Sequence, residues 1–166
     1  MSDIRDEVFL EDLKEKLIQA KKETGLDDDG GNFEYAIAEI LRNAQADKWD
    51  NDVTGADNCV GDWGGARDLG CDLWFEDTTN KKILIVQCKY TDVKQNKASP
   101  NNDIQELGTI WQKITDSTVV NADANENLKL RLSEFEAKLE SGWEVEFQLV
   151  TNHKINENQI QKINTY

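Results

Sequence analysis

Apolar residues at Ile4, Val8, Leu13, Leu17 and Ile18 recur at helical spacing, followed by Lys21, Lys22 and Gly25. A stripe of this kind, with bases in its last turn and a glycine behind it, predicts an amphipathic helix over about residues 3–25. After an acidic, turn-forming stretch at 27–31, Asn32 is placed to cap a second helix. That helix carries Phe33, Ile37, Ile40 and Leu41 on one face and runs to about Asn43. The pattern then lapses. Residues 45–70 are rich in Asp, Asn and Gly, hold Trp49 and Trp63, and show weak strand character only near Val53. So long a polar connection is more often a functional loop than a scaffold.

The period next changes to two. Apolar runs at 71–75 and 82–90, joined by the polar 76–81, predict a β-hairpin. Beyond the only proline, Pro100, residues Asn102 and Asp103 can start a helix bearing Ile104, Leu107, Ile110, Trp111 and Ile114, with Trp111 expected in the core. Leu128, Leu132, Phe135 and Leu139 predict one further helix, stopped by Gly142. Over 143–151, Val145, Phe147 and Leu149 alternate with Glu144, Glu146 and Gln148, as in a strand with one solvated face. The tail from Ile155 reads as a short helix or a truncated continuation. The order helix, helix, hairpin, helices, strand is that of a mixed α/β domain, with its core over about 32–151.

A chain of 166 residues is long enough for one hydrophobic core and short for two, and it is equally compatible with a fragment of a longer protein. Hydrophobic and charged fractions of 38% and 31% are those of an ordered soluble protein, although the mean hydropathy of −0.70 leans polar. No apolar run is long enough to span a bilayer and the acidic start lacks signal-peptide character, so a cytosolic protein with no membrane partner is expected. Cys59, Cys71 and Cys88 have neither the even count of a disulfide framework nor CxxC spacing. The net charge of −14 weighs against simple non-specific binding of nucleic acid, which relies on a basic surface. A metal-dependent enzyme escapes part of that objection, because its site needs carboxylates and the cation brings the positive charge.

Strand alternation puts Ile83, Ile85, Gln87 and Lys89 on one face of the second hairpin strand and Leu84, Val86 and Cys88 on the other. If the hairpin closes on a loop centred on Thr78 and Thr79, Asp72 lies opposite Ile85 and diagonal to Gln87. Asp72, Gln87 and Lys89 then share a face among apolar neighbours, which is costly unless they meet a partner or an ion. Two explanations stand side by side. Asp72 and Lys89 form a structural salt bridge, with Gln87 satisfying a backbone group; or the carboxylate, the amide oxygen and a nearby backbone carbonyl hold Mg²⁺ or Mn²⁺ while the lysine steers a water.

Here the sequence resembles a known family. Gly70-Cys71-Asp72, a turn, and then Ile85-Val86-Gln87-Cys88-Lys89-Tyr90 look like the PD-(D/E)XK nucleases, in particular the Mrr-type restriction endonucleases and the N-terminal domain of abortive-infection phage-resistance proteins. In those groups the second acidic ligand is often glutamine, and the first strand often carries a further aspartate, here Asp68. The resemblance covers roughly 32–114. It implies a restriction-endonuclease-like core, a mixed central sheet flanked by helices. It implies that Asp72 ligates the metal, that Gln87 and the Cys88 backbone carbonyl add weaker ligands, and that Lys89 positions the nucleophilic water. It also implies a supporting glutamate on the preceding helix, often after a phenylalanine, as in Phe33-Glu34. Helical geometry sets Glu34 at the edge of the apolar face and Glu39 away from it, so Glu34 is preferred.

Other candidates are ambiguous. Asp68 suits a turn as well as a ligand set. Trp63, beside Gly64 and Gly65, is either a base-stacking platform or a packing anchor. Lys81, Lys82, Lys94 and Lys97 surround the hairpin as a phosphate-facing patch or as solvated strand ends. The resemblance also makes Gln105 a candidate, because nuclease-fold proteins often contact the nucleic-acid backbone with the helix after the hairpin. His153, the sole histidine, has no spaced partner and is assigned nothing. The expected function is a Mg²⁺- or Mn²⁺-dependent endonuclease acting on DNA, or on RNA, in restriction or antiphage defence. The alternatives are a nuclease-fold module that no longer cuts and serves binding in a larger protein, and an acidic decoy for a nucleic-acid-binding partner. A homodimer or an additional C-terminal domain is compatible with each.

Overall fold

The structure, a computed structural model, describes residues 4–44, 68–90 and 101–152, with side chains from 12 to 43, from 68 to 90 and from 105 to 152. Helix α1 (Ile4–Thr24) ends where the sequence placed its stop: Gly25 takes φ +71° and its N–H returns to the Lys21 carbonyl at 2.9 Å. Helix α2 (Asp29–Ala44) begins three residues before the predicted cap. Asp28, not Asn32, does the capping, its carboxylate accepting from Gly31 N–H at 3.0 Å. Asn32 is instead buried in the first turn, accepting from Thr24 Oγ1 at 2.7 Å and donating to the Leu26 carbonyl at 3.1 Å. It ties α2 back to the end of α1.

Strands β1 (Leu73–Asp77) and β2 (Lys82–Lys89) form the predicted antiparallel hairpin, and β3 (Glu144–Thr151) pairs parallel to β2, giving the order β1-β2-β3. The hairpin register differs from the expected one. Leu73 pairs with Val86, Trp74 with Ile85 and Asp77 with Lys82, so the loop is Thr78–Lys81 rather than Thr78-Thr79. The cause is local. The Asp77 carboxylate accepts from Asn80 N–H at 3.0 Å and from Asn80 Nδ2 at 2.8 Å, and Lys81 takes φ +53°, which removes both residues from the ladder. Parity survives the change, so the predicted faces hold.

On one face of the sheet, Leu73, Phe75, Leu84, Val86 and Cys88 pack with Leu13 of α1 and with Phe33, Ile37 and Ala38 of α2. On the other, Trp74, Ile83 and Ile85 pack beneath Leu107, Ile110 and Ile114 of α3 (Asn101–Thr115) and beneath Leu128 and Phe135. Burying side chains of this size stabilises by about 1.5–3 kcal/mol each, so both faces are driven to be covered. The β2-to-β3 crossover runs through α3, α4 (Ser117–Asp123), α5 (Glu126–Ser133) and α6 (Phe135–Glu140). The single helix predicted over 128–139 is thus broken at Glu134, and α4, capped by Asp116 with no buried residue, was not foreseen. Trp111 is not core. It is 42% exposed on α3, with its ring edge against Phe135 and Phe147. In β3 the expected alternation of exposed and half-buried positions holds over Glu144 to Phe147 and then gives way to continuous partial burial. Among the described residues no helix is long and apolar enough to cross a membrane.

Candidate active site

β2 and β3 run parallel and both end at one edge of the sheet, where Lys89 pairs with Thr151. In open sheets this carboxyl edge is where crevices form and ligands bind. One step beyond the last pair of the hairpin, Leu73 with Val86, Asp72 falls opposite Gln87 rather than diagonal to it. The chain reaches Asp72 through a tight turn. Asp68 accepts Gly70 N–H on its carboxylate at 2.9 Å and Cys71 N–H on its backbone carbonyl at 2.9 Å, and Leu69 and Gly70 take φ +56° and +88°. Asp68 is therefore the turn residue its sequence context suggests. Glycine is required next to it: a Cβ at position 70 would stand 3.1 Å from Gln87 Nε2 and 3.1 Å from Ile110 Cγ1.

Asp72 accepts the Cys88 N–H on Oδ2 at 2.6 Å. Its carboxyl nevertheless titrates far above the usual carboxylate range, pushed up to about 9, chiefly by burial. A hydrogen bond to Asp68 and the negative charges of Asp68 and Glu34 push the same way, and the Cys88 N–H only partly offsets them. The negative charge of Glu34, on helix α2, is thus felt at Asp72. Asp72 is half-buried, and two further negative charges acting on it help keep its proton in place well above the usual carboxylate range. The Cys71 thiol is also driven up by burial, so it behaves as a packing residue and not a nucleophile.

Gln87 is 1% exposed, and among the described residues neither its Oε1 nor its Nε2 has a hydrogen-bond partner. An amide buried in this state costs about 1–3 kcal/mol, which argues against its being a mere filler of the sheet. Among the described residues it satisfies no backbone group, and no ion pair joins Lys89 to Asp72. Lys89 Nζ instead meets Glu106 Oε2 of α3 at 2.8 Å. The salt bridge offered as the structural explanation of the trio does not form.

Among the described residues no three His, Cys, Asp or Glu side chains converge as a ready-made metal cage. The donors gathered here are of another kind: one half-buried carboxyl, one buried amide without a partner among the described residues, and the main chain of Cys88 beside them. These are hard oxygen donors of the type that suits Mg²⁺, and a cation would relieve both the raised Asp72 and the orphaned Gln87.

The remaining candidates separate. Gln105 is exposed on α3. Lys81 and Lys82 are exposed at the hairpin turn, the opposite end of β2 from Lys89, about 20 Å away at strand rise. Lys81 donates there to the Ser141 carbonyl at 3.1 Å, so these two lysines do not face the site. Trp63, Lys94, Lys97 and His153 lie outside the described residues. Sequence reasoning overlooked Glu106. The signal was present: it sits just before Leu107, at the edge of the α3 apolar stripe, as Glu34 does on α2. No family model, curated protein or solved structure matches the chain.

Proposed function

We propose that the protein is a metal-dependent endonuclease hydrolysing phosphodiester bonds of DNA, with Asp72, Gln87 and Lys89 at its centre and Glu34 in support. The observation that carries this reading is the placement of a half-buried Asp72, its carboxyl held far above the usual range, opposite a buried Gln87 with no partner among the described residues, at the carboxyl edge of the sheet. The motif resemblance to PD-(D/E)XK nucleases, and with it a role in restriction or antiphage defence, supports the same reading. Asp72, the Gln87 amide oxygen and the Cys88 carbonyl would hold Mg²⁺ or Mn²⁺. When bound, the ion supplies Lewis-acid stabilisation of charge building on the phosphate.

The chain's own groups divide the rest. Asp72 would ligate in its deprotonated form, and the Cys88 N–H fixes the orientation of its carboxyl group. The Lys89 ammonium donates hydrogen bonds towards a water or a phosphate oxygen beside the scissile bond. Glu34 adds negative charge that holds the proton on metal-free Asp72 and would attract a divalent cation more strongly than a proton. The test is plasmid cleavage with Mg²⁺ or Mn²⁺ by wild type, Asp72→Ala and Lys89→Ala. Loss of cutting in both variants is expected, and equal activity in all three overturns the assignment.

A second reading is favoured by the net charge of −14, which disfavours approach of a polyanion. In it, the domain retains the fold without cutting and serves binding in a larger defence protein. It requires that Mn²⁺ produce no thermal stabilisation, whereas an intact site is stabilised increasingly as metal concentration rises.

A further inference from the structure

We propose, resting on the nuclease reading, that Glu106 is a positioning residue that holds the Lys89 ammonium at the Asp72–Gln87 end of the sheet. The ion pair is short, 2.8 Å, and its side chains keep only 30% and 39% of their exposure. Both partners are held by packed elements. Lys89 is the last residue of β2, on the same face as the fully buried Gln87. Glu106 lies on the ridge of α3 that continues through Ile110 and Ile114 at four-residue steps, both buried in the core beneath the helix. Ile110 flanks Gly70, and Gly70 flanks Gln87. One ridge of one helix therefore abuts the Gln87 side of the site and also reaches its lysine.

The pairing has a chemical consequence. A lysine bridged to Asp72 would neutralise the carboxylate that a metal needs. With Glu106 as partner, the ammonium leaves Asp72 unbridged, and the negative charges of Asp68 and Glu34 act on Asp72 with no offset from it. An untethered lysine spreads over many rotamers, and a flexible four-carbon stem makes that spread large. The Glu106 carboxylate narrows it. Glu106 touches neither substrate nor metal in this role and acts only through Lys89.

The experiment is a double-mutant cycle of Glu106→Gln and Lys89→Ala, read by cleavage of a DNA duplex with Mn²⁺ and by NMR of the metal-free protein labelled with ¹³C-lysine. In Glu106→Gln, kcat falls about ten- to a hundredfold while KM and melting temperature stay at wild-type values. In the Lys89→Ala background the same change has no further effect. The Lys89 ε-methylene signal moves from a distinct position towards that of the solvated lysines. A wild-type kcat in Glu106→Gln, or an equal loss in both backgrounds, overturns the proposal. If the wild type does not cut, the nuclease reading fails. The NMR arm then decides the pairing alone, and an unchanged Lys89 signal in Glu106→Gln overturns it.

Discussion

Asp72→Asn is the most informative single change, because it preserves the acceptor for Cys88 N–H and removes only the charge. In the metal-free protein the Asp72 carboxyl titrates near 9 against 3.8 for an unperturbed group. A group whose pKa is raised by folding contributes its stability fully below the unfolded value and loses it as pH rises through the folded one. The limiting slope is one proton, about 1.4 kcal/mol per pH unit, so about 4 kcal/mol separates pH 5 from pH 8. Relaxation of the site and water reaching the half-buried carboxyl reduce this to about 1.5–2 kcal/mol, or about 3–8 °C in Tm for a domain of this size. Asp72→Asn should therefore melt higher than wild type at pH 8 in EDTA, and the gap should close towards pH 5. Adding Mn²⁺ should reverse the order, because only the wild type gains a ligated carboxylate. Thermal melts at four pH values, with EDTA and with Mn²⁺, measure all of this. An asparagine variant that melts lower than wild type at pH 8 in EDTA would refute the claim that the carboxylate lacks compensation.

Gly70→Ala should destabilise by about 1–3 kcal/mol in chemical denaturation, since alanine is strained at φ +88° and its Cβ would press on Gln87 and Ile110. Gln87→Leu should raise metal-free stability by about 1–2 kcal/mol by removing two unpartnered polar atoms, while weakening stabilisation by Mn²⁺; a loss of metal-free stability would show that the amide has a partner. Lys138→Met should cost about 1–2 kcal/mol with little dependence on salt. Its ammonium meets both oxygens of the largely buried Glu76 at 2.8 Å, and Glu76 would be left with only the Trp74 indole N–H.

Much of this architecture was legible in residue order because periodicity and burial coincide. The α1 stripe with its Gly25 stop, the α3 stripe and the hairpin faces all follow from which positions must leave water. The failures occurred where local polar bonds outcompete the pattern. Asp77 draws Asn80 out of the ladder and shifts the register by two, while Asp28 takes the cap assigned to Asn32. Leu128 to Leu139 keeps helical spacing across a break at Glu134, because spacing does not register one residue leaving the helix at φ −102°, ψ −5°. Near the carboxyl edge, strand parity puts Asp72, Gln87 and Lys89 on one face, in keeping with the observed register, and the charge of Glu34 acts on Asp72 from α2. Glu106 stands visibly at the edge of the α3 stripe, but that it meets Lys89 depends on how α3 crosses the sheet, a property of no single segment.

The sheet draws its cover from opposite directions along the chain, α1 and α2 before the hairpin and α3 to α6 after it. The acids around Asp72 and Lys89 come from both sides, Glu34 from the first layer and Glu106 from the second. The candidate centre is thus a seam, complete only when both layers have docked. An ion bound there would act as a rivet through the sandwich, tightening helices that share few direct contacts, and metal affinity would become a gauge of whether the two halves have closed on the strands between them.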